Sequence, residues 1–375
     1  MNVRVLAVVV LSACSPILTP VVGRQPLVGS SNPPRIIWLF DQSGSMLLPV
    51  DPTSAPCAGG CGTPSSPCPS TCLTREGVFR AGIDTMAAVI PARVPNTAIR
   101  YPLDSLCGAP GDPDVVVYPD KTFYQRDNLV ASELHDVLAA YIPVGGTPTA
   151  KALRYVASLP TTVQTETFVV LVTDGVPNCN ANNPYNVCAQ PTDPTALAAC
   201  RCTTTSCSMG LLCSLGCLDD LGAVSASRLL GEQGMSLMVI GLGADLQSGI
   251  GISTLGTLEI GLAASCTTSA DCNGRTCGAD GVCADKLFLA AAPADFEAPA
   301  RRLARAVQVA DRCTWWLPRQ VAAADLTVEI GTDVLDPAEW TLKGEQEQRV
   351  VITGAACDRL IAGTESVTLS LPPSN

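Results

Sequence analysis

Three short stretches of the chain collect oxygen donors. Residues 36–46 read IIWLFDQSGSM: five apolar residues run into Asp41, followed by Ser43 and Ser45. Residues 145–153 read GGTPTAKAL and bring Thr147 to the head of a helix-like segment. Residues 167–175 read TFVVLVTDG and end on Asp174 and Gly175. Carboxylates and hydroxyls are hard donors, the type that hard divalent cations take. Each fragment alone has a plainer reading. Ser43 and Ser45 suit a turn, Thr147 and Thr149 suit helix caps, and Asp174-Gly175 is an ordinary turn pair.

The elements around these stretches place the donors together. Arg35–Phe40 and Thr167–Thr173 are continuous apolar runs, as expected of central strands covered on both faces. Further strands are predicted near 97–103, 115–118, 236–242 and 286–290. Helices are predicted over 75–90, 131–141, 148–158, 219–232 and 295–309, the last with Pro299 in its first turns. Strands alternating with helices predict an α/β fold: a Rossmann-like, doubly wound, mostly parallel sheet with helices on both faces. Ligands in such folds sit at the carboxyl ends of the strands, where Asp41 and Asp174 both fall.

D-x-S-x-S at 41–45, the threonine of GGTPT at 147 and TDG at 173–175, in that order, resemble the von Willebrand factor A (VWA) domain and its metal-ion-dependent adhesion site. The resemblance runs over about 35–310 and implies the VWA fold. It implies that Ser43, Ser45 and Thr147 contact the metal through hydroxyls and that Asp41 and Asp174 act directly or through water. It also implies Mg²⁺, or Mn²⁺ or Ca²⁺, and a protein partner that offers an Asp or Glu carboxylate. The donor set agrees, because Mg²⁺ keeps oxygen ligands and several waters, and an under-neutralised ion accepts an outside anion. Alternation puts Ser43 and Ser45 on one side of an extended loop, and the helix after Thr147 turns its positive end toward the region.

Composition excludes other classes. The 375 residues carry a formal net charge of −11, and only 15% are charged while 47% are hydrophobic. This is a globular chain, and phosphate contacts would need clustered Lys and Arg, so no nucleic-acid partner is expected. His135 is the only histidine, which leaves no Ser/His/Asp set and no multi-histidine metal site. No P-loop or G-x-S-x-G pattern occurs, and no enzyme activity is expected. The alternative to a binder is a structural envelope protein with a non-adhesive or purely architectural metal site.

The N-terminus reads MNVRVLAVVVLSACS, a signal peptide over 1–13 too short to span a bilayer. Leu11-Ser12-Ala13-Cys14 resembles a bacterial lipobox, which implies cleavage before Cys14, a lipid on its thiol and amine, and membrane attachment. With Ser15 next, an outer-membrane lipoprotein is implied. An ordinary signal cut after Gly23 is the alternative. Removing Cys14 from nineteen cysteines leaves eighteen, enough for up to nine disulfides in an exported chain.

Residues 14–34 read as a lipid-anchored linker. Cysteine-rich insertions interrupt the VWA segment at 51–72, 178–217 and 266–283. The cysteines at 57, 61, 68 and 72 are expected to pair within their loop. The first two insertions follow metal-motif residues. They are expected to form a recognition surface, to shield the site, or merely to rigidify long loops. DCNGRTCGADG at 271–281 fits no EF-hand spacing. Short alternating runs over 313–375 predict a small β-rich unit closed by Cys313 and Cys357, with Trp315, Trp316 and Trp340 in its core.

Overall fold

In the computed structural model, the described residues are 25–27, 29, 33–57, 60–91, 94–103, 107–108, 115–117, 129–139, 142–160, 165–180, 218–243, 246, 249–259, 287–344, 348–363 and 365–372. Two compact units divide the chain. One is Asn32–Asp311; the other joins Met1–Ser31 with Arg312–Asn375.

In the Met1–Ser31/Arg312–Asn375 unit the strands are β1 (Gln25–Leu27), β8 (Thr314–Trp316), β9 (Thr327–Ile330), β10 (Asp333–Val334), β11 (Trp340–Lys343), β12 (Arg349–Ile352) and β13 (Val367–Leu371). They form two antiparallel sheets, in the orders β1-β13-β9-β10 and β11-β12-β8. A helix over Gly354–Ala362 carries Cys357, which is bonded to Cys313. Trp340 is buried, while Trp315 and Trp316 are half-buried.

Residues 25–27 correct the expectation of a linker over 14–34. Gln25, Pro26 and Leu27 pair with Leu371, Ser370 and Leu369. Pro-rich composition suggested a tether, but β1 lies at a sheet edge, where the N–H that Pro26 lacks is not required by a second neighbour. Leu27 is buried and anchors the strand.

In the Asn32–Asp311 unit the strands are β2 (Arg35–Asp41), β3 (Asn96–Tyr101), β4 (Val115–Val117), β5 (Thr167–Thr173), β6 (Met235–Leu242) and β7 (Phe288–Ala290). Their order is β4-β3-β2-β5-β6-β7. Five strands are parallel, and β4 runs antiparallel at the edge. The helices are α1 (Arg75–Ala88), α2 (Leu129–Ala139), α3 (Thr149–Ser158), α4 (Asp220–Glu232), α5 (Gly249–Leu258) and α6 (Glu297–Arg312). This is an α/β architecture, a mostly parallel sheet with helices on both faces.

Strand alternation sorts the core into two layers. Ile36, Trp38 and Phe40 of β2 join Phe168, Val170 and Val172 of β5 beneath Phe79 and Ile83 of α1, Leu134 and Leu138 of α2, and Leu303 and Val307 of α6. Ile37 and Leu39 join Val169 and Leu171 beneath Leu153 and Val156 of α3, Leu230 of α4 and Leu255 of α5. The indole N–H of buried Trp38 donates to Asn96 Oδ1 at 2.9 Å, which meets the need of a buried donor. Gly82 of α1 lets the Phe296 ring approach so closely that a Cβ there would lie 2.3 Å from it.

Two differences from the sequence reading concern helices. The segment GIGISTLGTL forms α5, which local propensity does not announce; Leu255 and Leu258 hold it through burial. Helix α6 starts at Glu297 rather than at Asp295 because a 3₁₀ turn occupies Pro293–Phe296, with Asp295 accepting the amides of Ala291 and Ala292.

Candidate metal centre

The site lies where the sheet changes winding direction. β3 pairs with one edge of β2 and β5 with the other, so the loops leaving β2 and β5 diverge from a crevice at their carboxyl ends. Register sets Asp41 opposite Tyr101, and Phe40 opposite Val172, so Asp41 and Thr173 are level.

Loop 42–45 is held from several sides. The Gln42 amide donates to Tyr101 O at 2.6 Å, its side chain donates to Pro102 O, and Gln42 O accepts the amide of Val144 at 2.8 Å. Gly44 N donates to Gly145 O at 3.1 Å, which brings the loop of Thr147 against that of Ser43 and Ser45.

Within this frame Asp41, Ser43, Ser45 and Asp174 form one hydrogen-bonded cluster. Asp41 Oδ1 accepts the Ser43 amide at 2.8 Å, and Oδ2 accepts the Thr173 hydroxyl at 2.5 Å. Asp174 Oδ1 accepts from Ser43 Oγ at 3.3 Å and from Ser45 Oγ at 2.9 Å. The two serine hydroxyls are 3.0 Å apart. Asp41, Ser43, Thr147 and Asp174 are buried, and Ser45 is half-buried at the mouth.

Thr147 lies against the loop that follows Asp174. Its amide donates to Asn178 Oδ1 at 2.5 Å, and its carbonyl accepts the Asn178 amide at 3.0 Å. A Cβ on Gly175 would lie 3.1 Å from Thr147 Oγ1, so the hydroxyl rests against the residue that follows Asp174. Helix α3 starts at Thr149, with no side-chain cap on its first amides.

The electrostatics call for positive charge. Burial first, then the neighbouring Asp174 charge, pushes the Asp41 carboxyl up to about 7, against hydrogen bonds from Thr173 and Ser43 that pull it down. Buried Tyr101 is raised well above 10 by burial and by the Asp41 charge. Arg75 Nη1 lies 3.0 Å from Asp174 Oδ2 in a buried ion pair. The donor set therefore fits a small divalent cation: hydroxyls that donate to Asp174 keep lone pairs to offer, and a cation beside Asp41 would offset its buried charge.

Sequence reasoning passed over Arg75, Thr173, Gln42 and Asn178. Thr173 has a sequence signal, because it closes the apolar strand directly before Asp174. Arg75 and Asn178 have none, since only folding brings them to the site. Cys179, at the start of the second insertion, bonds to Cys107 in the loop after β3. In loop 51–72, Cys57 pairs with Cys72 and Cys61 with Cys68. The sulfurs of Cys61, Cys68 and Cys72 lie together, but both disulfides use them and leave no thiolate for a metal. His135 stands at the surface, 2.8 Å from Asp84. The leader over 1–13, Cys14, residues 266–283 and 181–217 of the second insertion lie outside the described residues. Among the described residues no helix is long and apolar enough to cross a membrane.

No protein-family model and no curated protein matches the chain. Solved structures similar to it include the pilus adhesin SpaC of Lactobacillus rhamnosus GG, at 14% identity and a TM-score of 0.43, covering 91% of this chain and 39% of that one. The manganese-loaded TRAP protein of Plasmodium vivax is similar at 13% identity and a TM-score of 0.39, over 86% of this chain and 94% of that one. The pilus adhesin RrgA of Streptococcus pneumoniae is similar at 10% identity and a TM-score of 0.32, over 93% and 57%. The chain thus spans about two fifths of the length of SpaC.

Proposed function

We propose that this is an exported, non-catalytic binding protein of VWA type. Asp41, Ser43, Ser45, Thr147 and Asp174 would hold Mg²⁺, or Mn²⁺ or Ca²⁺, at the carboxyl end of the sheet. When bound, the cation supplies a Lewis-acidic position for an Asp or Glu carboxylate of a partner protein. The chain's own residues do the rest. Asp174 orients both serine hydroxyls, Thr173 and the Ser43 amide hold Asp41, and Asn178 sets the loop of Thr147.

The observation that carries this reading is the shared acceptor. One oxygen of Asp174 gathers the hydroxyls of Ser43 and Ser45, 131 and 129 positions away in the chain. The disulfides fit an oxidising, exported setting. Attachment to the bacterial outer membrane through a lipid on Cys14 is part of the proposal.

A second reading has its own support. The cluster satisfies its polar groups internally and pairs Asp174 with Arg75, as a purely architectural site in a structural envelope protein would. Titration with Mg²⁺ separates the two. A binding site takes up the ion, raises the melting temperature and loses both properties in Asp41→Ala and Thr147→Ala. An architectural site shows no uptake and no shift.

A further inference from the structure

We infer that Arg75 is a positioning residue that sets the charge of this site and thereby the kind of anion it takes. The inference rests on the cation reading above and deepens it. Arg75 opens α1 and is buried, with Nη1 3.0 Å from Asp174 Oδ2 and 3.3 Å from the Asp174 carbonyl oxygen. Its place is built in. The Arg75 amide donates to Leu48 O at 3.0 Å, three residues beyond Ser45, and Thr74 caps the helix by accepting from the Gly77 amide at 3.1 Å.

The charge count follows from these contacts. A guanidinium stays protonated, so Arg75 is a fixed positive charge. Two carboxylates alone would cancel a divalent ion. With Arg75 covering Asp174, the site keeps more of the ion's positive charge than the two carboxylates alone would leave. Asp174 gives one oxygen to Arg75 and the other to the serines, so it orients donors instead of neutralising the ion.

The positive charge kept in this way draws a carboxylate from outside. The chain as a whole carries −11, so its field opposes a strongly acidic partner. The partner chemistry is therefore a lone Asp or Glu without acidic neighbours, not an acidic run.

The test uses the full chain, with Mn²⁺ alone as the first probe and acetate as the second. Wild type, Arg75→Gln and Arg75→Lys are titrated with Mn²⁺ by calorimetry. Acetate is then added to the Mn²⁺-loaded proteins and followed by water-proton relaxation. Arg75→Gln is expected to bind Mn²⁺ roughly tenfold more tightly, because a carboxylate is uncovered, and to bind acetate several-fold more weakly. Arg75→Lys keeps both values nearer wild type. A merely structural arginine would weaken both in Arg75→Gln, and Mn²⁺ affinity that fails to rise overturns the inference.

Loss of a buried partner can unfold a domain. A second measurement therefore uses wild type only: the exchange-protected guanidinium protons of Arg75, by NMR, are expected to persist at saturating Mg²⁺. Their release by Mg²⁺ overturns the inference as well. If wild type binds no Mn²⁺, the cation site itself is wrong and the role of Arg75 goes with it. If wild type binds and only the tightening is missing, the role of Arg75 alone is lost.

Discussion

The Thr147 amide donates to Asn178 Oδ1, 2.5 Å away, and Asn178 is followed by Cys179, which is bonded to Cys107. The loop after β3 and the loop after β5 are thus stapled beside the contact that sets Thr147. Cys179 takes a left-handed backbone, φ 73°, uncommon for a residue other than glycine. The staple holds this turn in a place where chain propensity alone would not.

Replacing Asn178 with Ala is expected to leave the Thr147 amide without its acceptor. An unmet buried donor costs about 1–3 kcal/mol, read by denaturant unfolding. Mg²⁺ uptake should weaken at the same time. Uptake equal to wild type would show that Thr147 does not depend on Asn178.

Gly175→Ala tests the approach of Thr147 more selectively. The added Cβ would stand 3.1 Å from Thr147 Oγ1, so the hydroxyl must shift by a few tenths of an ångström. Mn²⁺ affinity is expected to drop while the melting temperature of the metal-free protein changes little. A fall in stability with unchanged affinity would place the Thr147 hydroxyl outside the site.

The raised Asp41 carboxyl makes metal-free stability pH-dependent. The unfolded group releases its proton near 3.8 and the folded one near 7. Between these values the folded state holds more protons, so its stability falls as pH rises. This contribution is complete below about 4 and lost above about 7. A cation competes with the proton, so the melting shift produced by Mg²⁺ should be larger at pH 8 than at pH 5.5. Equal shifts would separate Asp41 from cation binding.

Leu27→Ala examines the N-terminal strand. Leu27 pairs with Leu369 and is buried, so the substitution is expected to cost about 2 kcal/mol. Calorimetry should show the loss in the transition of the small β unit, with Mg²⁺ uptake by the other unit unchanged. An unaltered β-unit transition would return residues 25–27 to the role of a tether.

Much of the α/β unit is legible because its signals are local. IIWLF and TFVVLV announce strands covered on both faces, and the spacing of Val78, Phe79, Ile83 and Met86 announces α1. Asp41 and Asp174 can be placed at strand ends by the same reading. Helix α5 escapes it, since a glycine-rich segment becomes helical only through what Leu255 and Leu258 bury. Strand β1 escapes it too, since its partner β13 lies at the far end of the chain.

The sequence by itself determined the strand–helix alternation, the donor types at 41, 43, 45, 147 and 174, and a cysteine count suited to an oxidising compartment. These follow from hydrophobic period and side-chain chemistry, which neighbouring residues settle. Only the tertiary structure decided that Arg75 covers Asp174, that Asn178 holds Thr147 and that Cys107 joins Cys179. Those pairings span 99, 31 and 72 positions. Contacts at such separations are set by how sheet and helices pack, and no local pattern encodes which distant side chain arrives.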